Sequence, residues 1–456
     1  MLDIGPVLVA NRGEIAVRVL RALRELGIPS VAVYSEADAD APHVRLADQS
    51  FELGPAPPAQ SYLDIDRVLG AAKATGARSI HPGYGFLAEN PEFAQACEDA
   101  GLIFIGPPVE AIRGMGSKIE ARRRMKEAGI PTVPGGTEPL TSVEDAVAAA
   151  DEIGYPVAFK ASAGGGGRGF RVAEDRSSVE QAFTGAQGEG ERFFGDPSVY
   201  VEKYIEDPRH VEVQILADAH GNVVHLGERD CSVQRRHQKL IEESPAPTVG
   251  PELRKRIGEI AVAAARSIGY RSAGTVEGLL DGDEFYFLEM NTRLQVEHPV
   301  TEMVTGVDLV REQLRIAAGL PLEFAQDDVR LRGWAIECRI NAESAAKGFL
   351  PAPGTITAWE PPQGPGVRVD SGIRAGDRVS PYYDPLLAKL IVWDADRDAA
   401  TRRMLRALDE FEVAGTATLI PFHRAFLLTP EWQRGETGRS LLADRAWLKA
   451  TEEPAH

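Results

Sequence analysis

Apolar and polar positions along the first third of the chain predict strands and helices in alternation. Val7–Ala10 is an unbroken apolar run of strand length, and apolar residues recur at helical spacing from about Glu14 to Leu26. Gly27 follows as a helix stop, and Val31–Tyr34 predicts the next strand. No G-x-G-x-x-G follows the first strand, so this is not a dinucleotide fingerprint. The alternation is typical of a parallel sheet flanked by helices, and therefore of an α/β fold.

From about residue 107 the pattern changes to longer strands, which predicts a second unit, and a third from about residue 333. A helix is expected from about Ser142 to Ile153, with Thr141 and Glu144 in capping-box spacing and Gly154 as its stop. The remaining predicted strands are Leu102–Ile105, Val157–Ala161, Val199–Lys203, His210–Ala217, Val223–Glu228, Thr275–Leu279, Phe285–Glu289, Trp334–Ile340, Gly354–Trp359 and Leu386–Val392, and the remaining helices are Pro91–Ala100, Pro251–Ile268 and Arg397–Phe411. A chain of 456 residues exceeds one hydrophobic core, which favours two or three packed domains.

Composition narrows the class of protein. The net charge of -18 opposes nucleic acid as a general partner, and an anionic substrate needs a local basic pocket. The cysteines are Cys97, Cys231 and Cys338; this scattered, odd set argues against a disulfide framework or a zinc site and for a reducing compartment. The N-terminus has no basic leader, and no apolar run approaches the ~20 residues of a membrane span. We therefore expect a cytoplasmic protein without a membrane segment.

The segment Glu289–Glu297 (E-M-N-T-R-L-Q-V-E) carries a specific chemical pattern. In an extended chain alternate side chains share a face, and that face would hold Glu289, Asn291, Arg293, Gln295 and Glu297. Carboxylate and amide oxygens ligate Mg²⁺, and a planar guanidinium binds a small oxyanion through two hydrogen bonds. The pattern predicts an anion site beside a metal; the alternative is a half-exposed strand with a solvated polar face.

A second carboxylate is predicted to face the first. If residues 282–284 form a three-residue hairpin loop, Asp281 pairs with Phe285 and Glu277 pairs with Glu289 on the same face. Two facing carboxylates repel each other unless a cation lies between them, which predicts a divalent metal at this point. A shifted strand register is the alternative.

Two further stretches indicate a phosphate site. The glycine-rich loop 163–169 follows Lys160 at a strand end, where glycine N–H groups converge on phosphate without obstruction. A movable lid loop between strands is favoured over a flexible linker, and the spacing is not that of a P-loop. The run Gln234–Lys239 is interpreted as a basic lining for phosphate or bicarbonate, with a solvated loop or a nucleic-acid patch as alternatives.

Six motifs in order along nearly the whole chain resemble the biotin carboxylase family of ATP-grasp enzymes. They are A-N-R-G-E-I-A at 10–16, H-P-G-Y-G-F-L at 81–87, K-A-S-A-G-G-G-G-R-G at 160–169, E-R-D-C-S-V-Q-R-R-H-Q-K at 228–239, E-M-N-T-R-L-Q-V-E-H-P-V-T-E at 289–302 and E-C-R-I-N-A-E at 337–343. The resemblance implies an ATP-grasp fold. Residues 1–115 would form a Rossmann-like pre-ATP-grasp domain, 116–330 the ATP-grasp domain with a mobile lid at about 132–204, and 331–450 a mixed α+β C-terminal domain.

The resemblance also implies the activity: carboxylation of biotin on a separate biotin carboxyl carrier protein, using ATP, bicarbonate and Mg²⁺ or Mn²⁺. This is the first half-reaction of a biotin-dependent carboxylase, such as the acetyl-CoA carboxylase of fatty acid biosynthesis. The chain has no A-M-K-M segment for biotin attachment, so separate carrier and carboxyltransferase partners are implied. The family is often dimeric. The acceptor (acetyl-CoA, propionyl-CoA, another acyl-CoA or pyruvate) stays open, since the absent transferase selects it.

Site residues follow from the matching positions. The nucleotide contacts implied by the resemblance are Lys118, Lys160, Gly166, Gly167, Glu202, Lys203, Tyr204, Ile205, His210, Gln234, His237 and Leu279, and the metal ligands are Glu277, Glu289 and Asn291. The substrate and catalytic residues are Lys239, Arg293, Gln295, the N–H of Val296, Glu297 as general base for bicarbonate, Arg339 at the biotin ureido oxygen and Tyr84 on the biotin side. The departures from the family pattern are Ala163 at the start of the glycine run, Phe170 near the adenine pocket and Gly278 in the wall beside the metal.

Overall fold

The computed structural model describes residues 2–162, 169–236 and 238–451. Its N-terminal part contains a five-stranded parallel sheet in the order β3-β2-β1-β4-β5. The strands are β1 (Val7–Val9), β2 (Ser30–Ser35), β3 (Gln49–Gly54), β4 (Ser79–His81) and β5 (Ile103–Phe104), and the helices are α1 (Gly13–Glu25), α2 (Pro42–Leu46), α3 (Ile65–Thr75), α4 (Pro91–Asp99) and α5 (Val109–Gly116). The predicted parallel α/β arrangement is confirmed.

A small antiparallel unit follows the helix α6 (Lys118–Glu127). Its elements are α7 (Val143–Ile153), β6 (Val157–Ala161), β7 (Phe170–Ala173), α8 (Val179–Phe194) and β8 (Val199–Lys203), with strand order β7-β6-β8. The α7 cap differs from the prediction: Ser142 is the N-cap, and its hydroxyl accepts from the Asp145 N–H at 3.1 Å. The loop between β6 and β7, with Ala163, Gly166 and Gly167, lies outside the described residues.

The centre of the molecule is an eight-stranded antiparallel sheet in the order β13-β12-β9-β10-β11-β14-β21-β19. Five of its strands are β9 (Arg209–Ala217), β10 (Val223–Arg235), β11 (Gln238–Ser244), β12 (Ser272–Asp281) and β13 (Glu284–Asn291), and the associated helices are α9 (Pro251–Ser267), α10 (His298–Thr305) and α11 (Leu309–Ala317). In the run at 234–239, Gln234 and Arg235 end β10, Gln238 and Lys239 begin β11, and Arg235 pairs with Gln238. The strand β10 therefore continues to Arg235, beyond its predicted end at Glu228.

The C-terminal part supplies the other three strands of this sheet. Its elements are β14 (Trp334–Asn341), β15 (Glu343–Ser344), β16 (Leu350–Pro351), β17 (Gly354–Thr355), β18 (Ala358–Glu360), β19 (Val367–Ser371), β20 (Arg378–Val379), β21 (Leu386–Asp394), α12 (Arg397–Glu410), β22 (Glu412–Ala414), α13 (Ile420–Leu427), α14 (Pro430–Gln433), α15 (Arg439–Ala443) and α16 (Arg445–Ala450). The prediction of a single strand at Gly354–Trp359 is wrong, because β17 and β18 pair into different sheets. Since β14 pairs with β11, one sheet continues across residue 331, where a domain boundary is predicted.

The predicted pairing of Glu277 with Glu289 is present, although the predicted turn is wrong. Asp281 pairs with Glu284, which leaves a two-residue turn instead of a three-residue loop. A β-bulge beside Glu277 then shifts the register by one residue, because Gly278 pairs with Phe287 and Glu277 with Glu289. The turn is one residue shorter than predicted and the bulge adds one residue, so the two changes cancel in the register. The two carboxylates therefore face each other as expected.

The place of a side chain at Gly278 is filled by the Phe285 ring, since a Cβ there would lie 2.2 Å from Phe285 Cζ. Gly278→Leu is therefore expected to lower the free energy of unfolding by about 1–3 kcal/mol, because the buried ring must move. Urea denaturation of the purified variant measures this change. Gly70→Ala, on the exposed face of α3 with open space around it, is the control and should stabilise by about 0.5–1 kcal/mol. An unchanged stability in Gly278→Leu would contradict the packing argument.

The three cysteines are buried and free. Among the described residues, no helix has the length and apolar character needed to cross a bilayer. Large apolar cores lie against the parallel sheet and on both faces of the eight-stranded sheet. Many charged side chains are also buried on the central strands, and these strands contain most of the candidate site.

Candidate active site

One cavity of about 730 Å³ gathers the predicted residues, and both the three-stranded and the eight-stranded sheet line it. Every predicted site residue that the structure describes lines it, except Tyr84. These residues are Lys118, Lys160, Glu202, Lys203, Tyr204, Ile205, His210, Gln234, Lys239, Glu277, Leu279, Glu289, Asn291, Arg293, Gln295, Val296, Glu297 and Arg339. Gly166, Gly167 and His237 lie outside the described residues.

One end of the cavity combines apolar walls with lysines. Lys160, on β6, forms an ion pair with the buried carboxylate of Glu202 on the neighbouring strand β8. The Phe170 and Tyr204 rings lie 6.4 Å apart, and Phe170 also has the Lys160 ammonium 5.5 Å from its ring centroid. Lys203 Nζ donates to the carbonyl oxygen of Tyr155 at 2.8 Å. A flat aromatic base and an adjacent polyanion match this mixture of apolar wall and fixed positive charge.

The facing carboxylates on β12 and β13 fit a divalent cation. Glu277 and Glu289 are partners in the ladder, and Asn291 donates its amide to Glu277 Oε1 at 2.7 Å. Burial raises the pKa of Glu277, but the charges of Lys239 and His210 lower it well below its ordinary value. The Lys118 charge lowers the pKa of Glu289. Because both acids are held ionised and all three residues offer oxygen, the set matches the hard ligands that Mg²⁺ prefers.

Lys239 lies at the centre of the cavity, where its ammonium contacts three carboxylates. Nζ donates to Glu212 at 2.5 Å, to Glu277 at 2.9 Å and to Glu297 at 2.5 Å. Burial by itself lowers the pKa of Lys239, but these three acids raise it well above its ordinary value. The lysine is therefore protonated throughout the physiological range, which provides a fixed positive charge next to the carboxylate pair.

The residues predicted to bind the anion follow the end of β13 and do not form a strand. The predicted strand Phe285–Glu289 lies within β13, but the extended conformation considered for Glu289–Glu297 ends at Asn291, and residues 292–297 turn into α10. The Gln295 side chain nevertheless reaches the paired carboxylates, because its amide nitrogen donates to Glu277 at 2.6 Å. Arg293 Nε donates to Glu89 Oε2 at 2.7 Å and Nη2 to Asn291 Oδ1 at 3.1 Å. An amide, a guanidinium and the Val296 backbone thus border the same part of the cavity.

Arg339 joins the C-terminal part to this group. Its strand β14 lies beside β11, and its Nη2 donates to Glu297 Oε2 at 2.9 Å. The other oxygen of Glu297 accepts from Lys239. Burial raises the pKa of Glu297, but Lys239, Arg339 and Arg229 lower it well below its ordinary value, so the carboxylate is ionised. One carboxylate therefore contacts both the lysine beside Glu277 and the arginine from β14.

Tyr84 is the predicted residue that does not line the cavity. It lies in the loop after β4, and its hydroxyl donates to the carboxylate of Glu14. Burial raises the pKa of the Tyr84 hydroxyl well above its ordinary value, and Glu14 raises it further. The biotin-side role of Tyr84 stays a prediction.

Four charged residues of the site, Glu89, Glu212, Arg229 and Glu242, are not singled out by the sequence patterns. Arg229 is fully buried and donates to Glu212 at 2.5 Å and to Gln295 Oε1 at 3.1 Å. Glu242 accepts from Arg339 Nε at 2.6 Å, and Glu89 holds Arg293. The partners are separated by between 17 and 204 positions along the chain, so no local spacing relates them. Neighbouring strands bring Glu212 to Arg229 and Glu242 to Arg339, whereas Glu89 reaches Arg293 from the loop after β4.

Comparison with protein families matches three models in chain order. The biotin carboxylase N-terminal domain matches residues 3–112, the ATP-binding domain of the carbamoyl-phosphate synthase L chain matches 117–325, and the biotin carboxylase C-terminal domain matches 337–444. Together these matches span nearly the whole chain.

Individual relatives agree with this result. Biotin carboxylase 1 of Bacillus subtilis is 54% identical over 96% of this chain and 97% of its own. One of the chains of the pyruvate carboxylase of Methanothermobacter thermautotrophicus is 55% identical over 94% of this chain and 88% of its own. The biotin carboxylase domain of Hydrogenobacter thermophilus 2-oxoglutarate carboxylase, a dimer with MgADP and bicarbonate, has a TM-score of 0.93 and 48% identity, covering 99% of both.

A three-stranded sheet facing a large antiparallel sheet, with lysines and paired carboxylates lining the cavity between them, defines an ATP-grasp ligase. The matches at both ends of the chain and the relatives across its length are specific to one group within that class. The chain belongs to the biotin carboxylase family. It catalyses the carboxylation of biotin with bicarbonate and ATP, and its cofactor is Mg²⁺.

Proposed function

We propose that the described cavity performs this reaction with the nucleotide at the β6–β8 end and biotin at the Arg339 end. The observation that carries the assignment is Glu297, whose two oxygens contact Lys239 and Arg339 at 2.5 and 2.9 Å. Glu297 would act as a base between Lys239, which would face the ATP phosphates, and Arg339, which would face the ureido group of biotin. This position suits a reaction that first activates bicarbonate and then carboxylates biotin.

At the nucleotide end, adenine would lie against the segment 202–205 with Leu279 and Phe170 nearby. The phosphates would then meet Lys118 and Lys160, two ammonium groups now held by Glu289 and Glu202. Gln234 and His210 complete this lining. Since phosphoryl transfer is catalysed mainly by positioning and charge neutralisation, these fixed cations would activate ATP.

Glu277, Glu289 and Asn291 would hold Mg²⁺, which supplies charge neutralisation at the phosphate oxygens. On the bicarbonate side, Arg293, Gln295 and the Val296 N–H would bind the oxyanion. Glu297 would accept the proton of bicarbonate as the resulting oxyanion attacks the γ-phosphorus of ATP, giving carboxyphosphate and ADP. Lys239, between Glu277 and Glu297, would neutralise charge at the transferring group.

At the biotin end, carboxyphosphate would decompose to CO₂ and phosphate, and that phosphate would take the proton of the ureido nitrogen, which then attacks CO₂. Arg339 would stabilise the negative charge that develops on the ureido oxygen. Carboxyphosphate is hydrolysed by water, so closure of the unit 132–204 over the nucleotide would protect it. Tyr84 would contribute on the biotin side. These roles follow the family resemblance residue by residue, and the shared cavity supports all of them except that of Tyr84.

We infer that biotin arrives on a separate carrier protein and that a separate carboxyltransferase takes the product. Support comes from the relatives, whose names include pyruvate carboxylase and 2-oxoglutarate carboxylase although their sequences are similar throughout. Because such similar chains belong to carboxylases with different carboxyl acceptors, another protein chain would select the acceptor. We also propose the domains 1–115, 116–330 and 331–450, a cytoplasmic location and a homodimer, the last supported by the dimeric Hydrogenobacter domain.

ADP release by the purified chain tests the assignment. With MgATP, release is expected to require bicarbonate and to rise when free biotin is added, because biotin consumes the activated carboxyl group. A coupled assay for ADP, run with and without each substrate, measures this. Release that is independent of bicarbonate, or no release even with a biotinylated carrier, would instead indicate another ATP-grasp ligase or a non-catalytic nucleotide-binding protein.

A further inference from the structure

Two carboxyl groups lie side by side beneath Arg339. Glu242 on β11 and Glu337 on β14 are direct partners in the antiparallel ladder, where Cβ atoms are about 4.5–5.5 Å apart. Both residues are 0% exposed. Arg339, two positions after Glu337, shares its face of β14 and binds Glu242 through Nε at 2.6 Å. The two carboxyl groups therefore lie next to the arginine that is proposed to face biotin.

The hydrogen bonds of this pair are markedly incomplete. Glu242 Oε1 accepts both contacts from Arg339, at 2.6 and 2.5 Å, whereas no described residue donates to Glu242 Oε2. Neither oxygen of Glu337 has a partner among the described residues. Three buried carboxyl oxygens therefore lack a hydrogen-bond donor among the described residues. If both acids were ionised, this would cost free energy, because each buried carboxylate needs several donors.

The surrounding charges do not compensate for two anions here. From the turn before α10, Glu297 adds a third negative charge, and it shares Arg339 with Glu242. Lys389, opposite Arg339 on β21, donates to the Val296 carbonyl at 2.9 Å and lies 3.1 Å from Glu14. Lys239 is directed to Glu212, Glu277 and Glu297. One guanidinium thus serves two of the three acids, and no cation contacts Glu337 among the described residues.

We propose that Glu242 and Glu337 share a single proton at neutral pH and that this protonated pair is a positioning group for Arg339. A shared proton lets one acid donate to the other, which removes the like-charge repulsion and satisfies a buried oxygen on each side. The pair then carries one negative charge instead of two. Arg339 is bound by that single charge, so it remains free to turn toward a developing ureido oxyanion.

The electrostatics agree with the geometry. Burial raises the pKa of Glu242 to about 7, although Arg339 opposes the shift. Burial likewise raises the pKa of Glu337 well above its ordinary value; Lys389 and Arg339 oppose this change, and Glu242 and Glu297 add to it. As the pH rises through the pKa of the shared proton, the pair gains a second negative charge and binds Arg339 more tightly. The arginine is then less available to biotin, and carboxylation should fall.

Infrared difference spectroscopy of the full chain tests the proton. The wild-type spectrum should contain the C=O stretch of a protonated carboxyl group, shifted in D₂O, that is missing from Glu337→Gln. Glu242→Gln, which disrupts the same pair from the other strand, should also lose or shift it. Glu228→Gln is the matched control: Glu228 is buried in the same sheet, but its oxygens accept from Arg254 and from the Ala246 N–H, so the band should remain. Loss of only ionised carboxylate bands in Glu337→Gln would overturn the proposal.

The pH dependence of biotin carboxylation tests the link to Arg339, and this part rests on the proposed function. Glutamine keeps the shape and neutrality of a protonated glutamate, so Glu337→Gln should retain the neutral-pH rate while its alkaline limb moves to higher pH. A purely structural role would not move that limb. A lost infrared band with an unmoved limb would overturn the positioning role, whereas failure of bicarbonate-dependent ADP release in the wild type would overturn the proposed function and leave the infrared result standing.

Discussion

Arg339→Ala is expected to lower the rate of biotin carboxylation by about 10²–10³-fold. The guanidinium extends from β14 and donates to Glu297 and Glu242, and we propose that it faces biotin. Removing a donor aimed at a developing oxyanion costs transition-state stabilisation that water cannot replace in a closed site. Carboxybiotin formation at saturating ATP and bicarbonate, measured on free biotin and on a biotinylated carrier, gives the change in kcat.

Arg424→Ala controls for loss of an arginine from the same C-terminal part, because Arg424 is exposed and pairs with the exposed Asp409. It should leave the rate unchanged. Arg339→Lys restores the charge but not the two-pronged geometry, so it should recover only part of the activity. Near-normal biotin carboxylation by Arg339→Ala would contradict the role given to this residue.

Glu297→Gln is expected to reduce bicarbonate-dependent ADP release by about 10²–10⁴-fold, the range associated with a positioned general base. The structure holds this carboxylate ionised between Lys239 and Arg339, and burial at 2% exposure keeps bulk water from replacing it. Glutamine has the same shape but does not accept the bicarbonate proton. Because ATP contacts are left intact, KM for ATP should change far less than kcat.

Glu323→Gln, a substitution at an exposed acid paired with Arg315, is the control and should behave as wild type. Glu297→Asp should give an intermediate rate, since it keeps the carboxylate but withdraws it by one methylene. Full ADP release by Glu297→Gln with bicarbonate would show that another group takes the proton.

Much of the fold follows from local patterns. The strands Val157–Ala161 and Val199–Lys203 have the bounds that the sequence predicts, because short apolar runs between turn residues specify buried strands. Local patterns fail where the end of a strand depends on a neighbouring strand with which it can pair. The strand β13 ends at Asn291, although polar and apolar residues continue to alternate as far as Glu297. It ends there because no neighbouring strand among the described residues pairs with the later positions.

The Glu277–Glu289 pair shows a different limit of sequence reasoning. Its prediction depends on a turn that the structure does not have, and the β-bulge beside Glu277 restores the pairing. A bulge adds one residue to one strand without any fixed sequence signal, so alternation alone fixes the face of a residue only as far as the next bulge. The predicted pairing of Glu277 with Glu289 is thus right for a reason that the sequence does not contain.

The sequence by itself determined the family and the kind of chemistry: the motifs at 160–169, 228–239 and 289–302 contain the lysines, carboxylates and amides to which the family resemblance assigns ATP, metal and bicarbonate. Residue types and short spacings are local properties, and they are readable along the chain. Only the tertiary structure decided which charges meet. The pairing of β11 with β14 places Glu242 and Glu337 under Arg339, and Arg229 reaches Glu212 and Gln295 through the sheet interior. These contacts depend on strand order, because buried charges far apart in sequence acquire partners only when the sheet assembles.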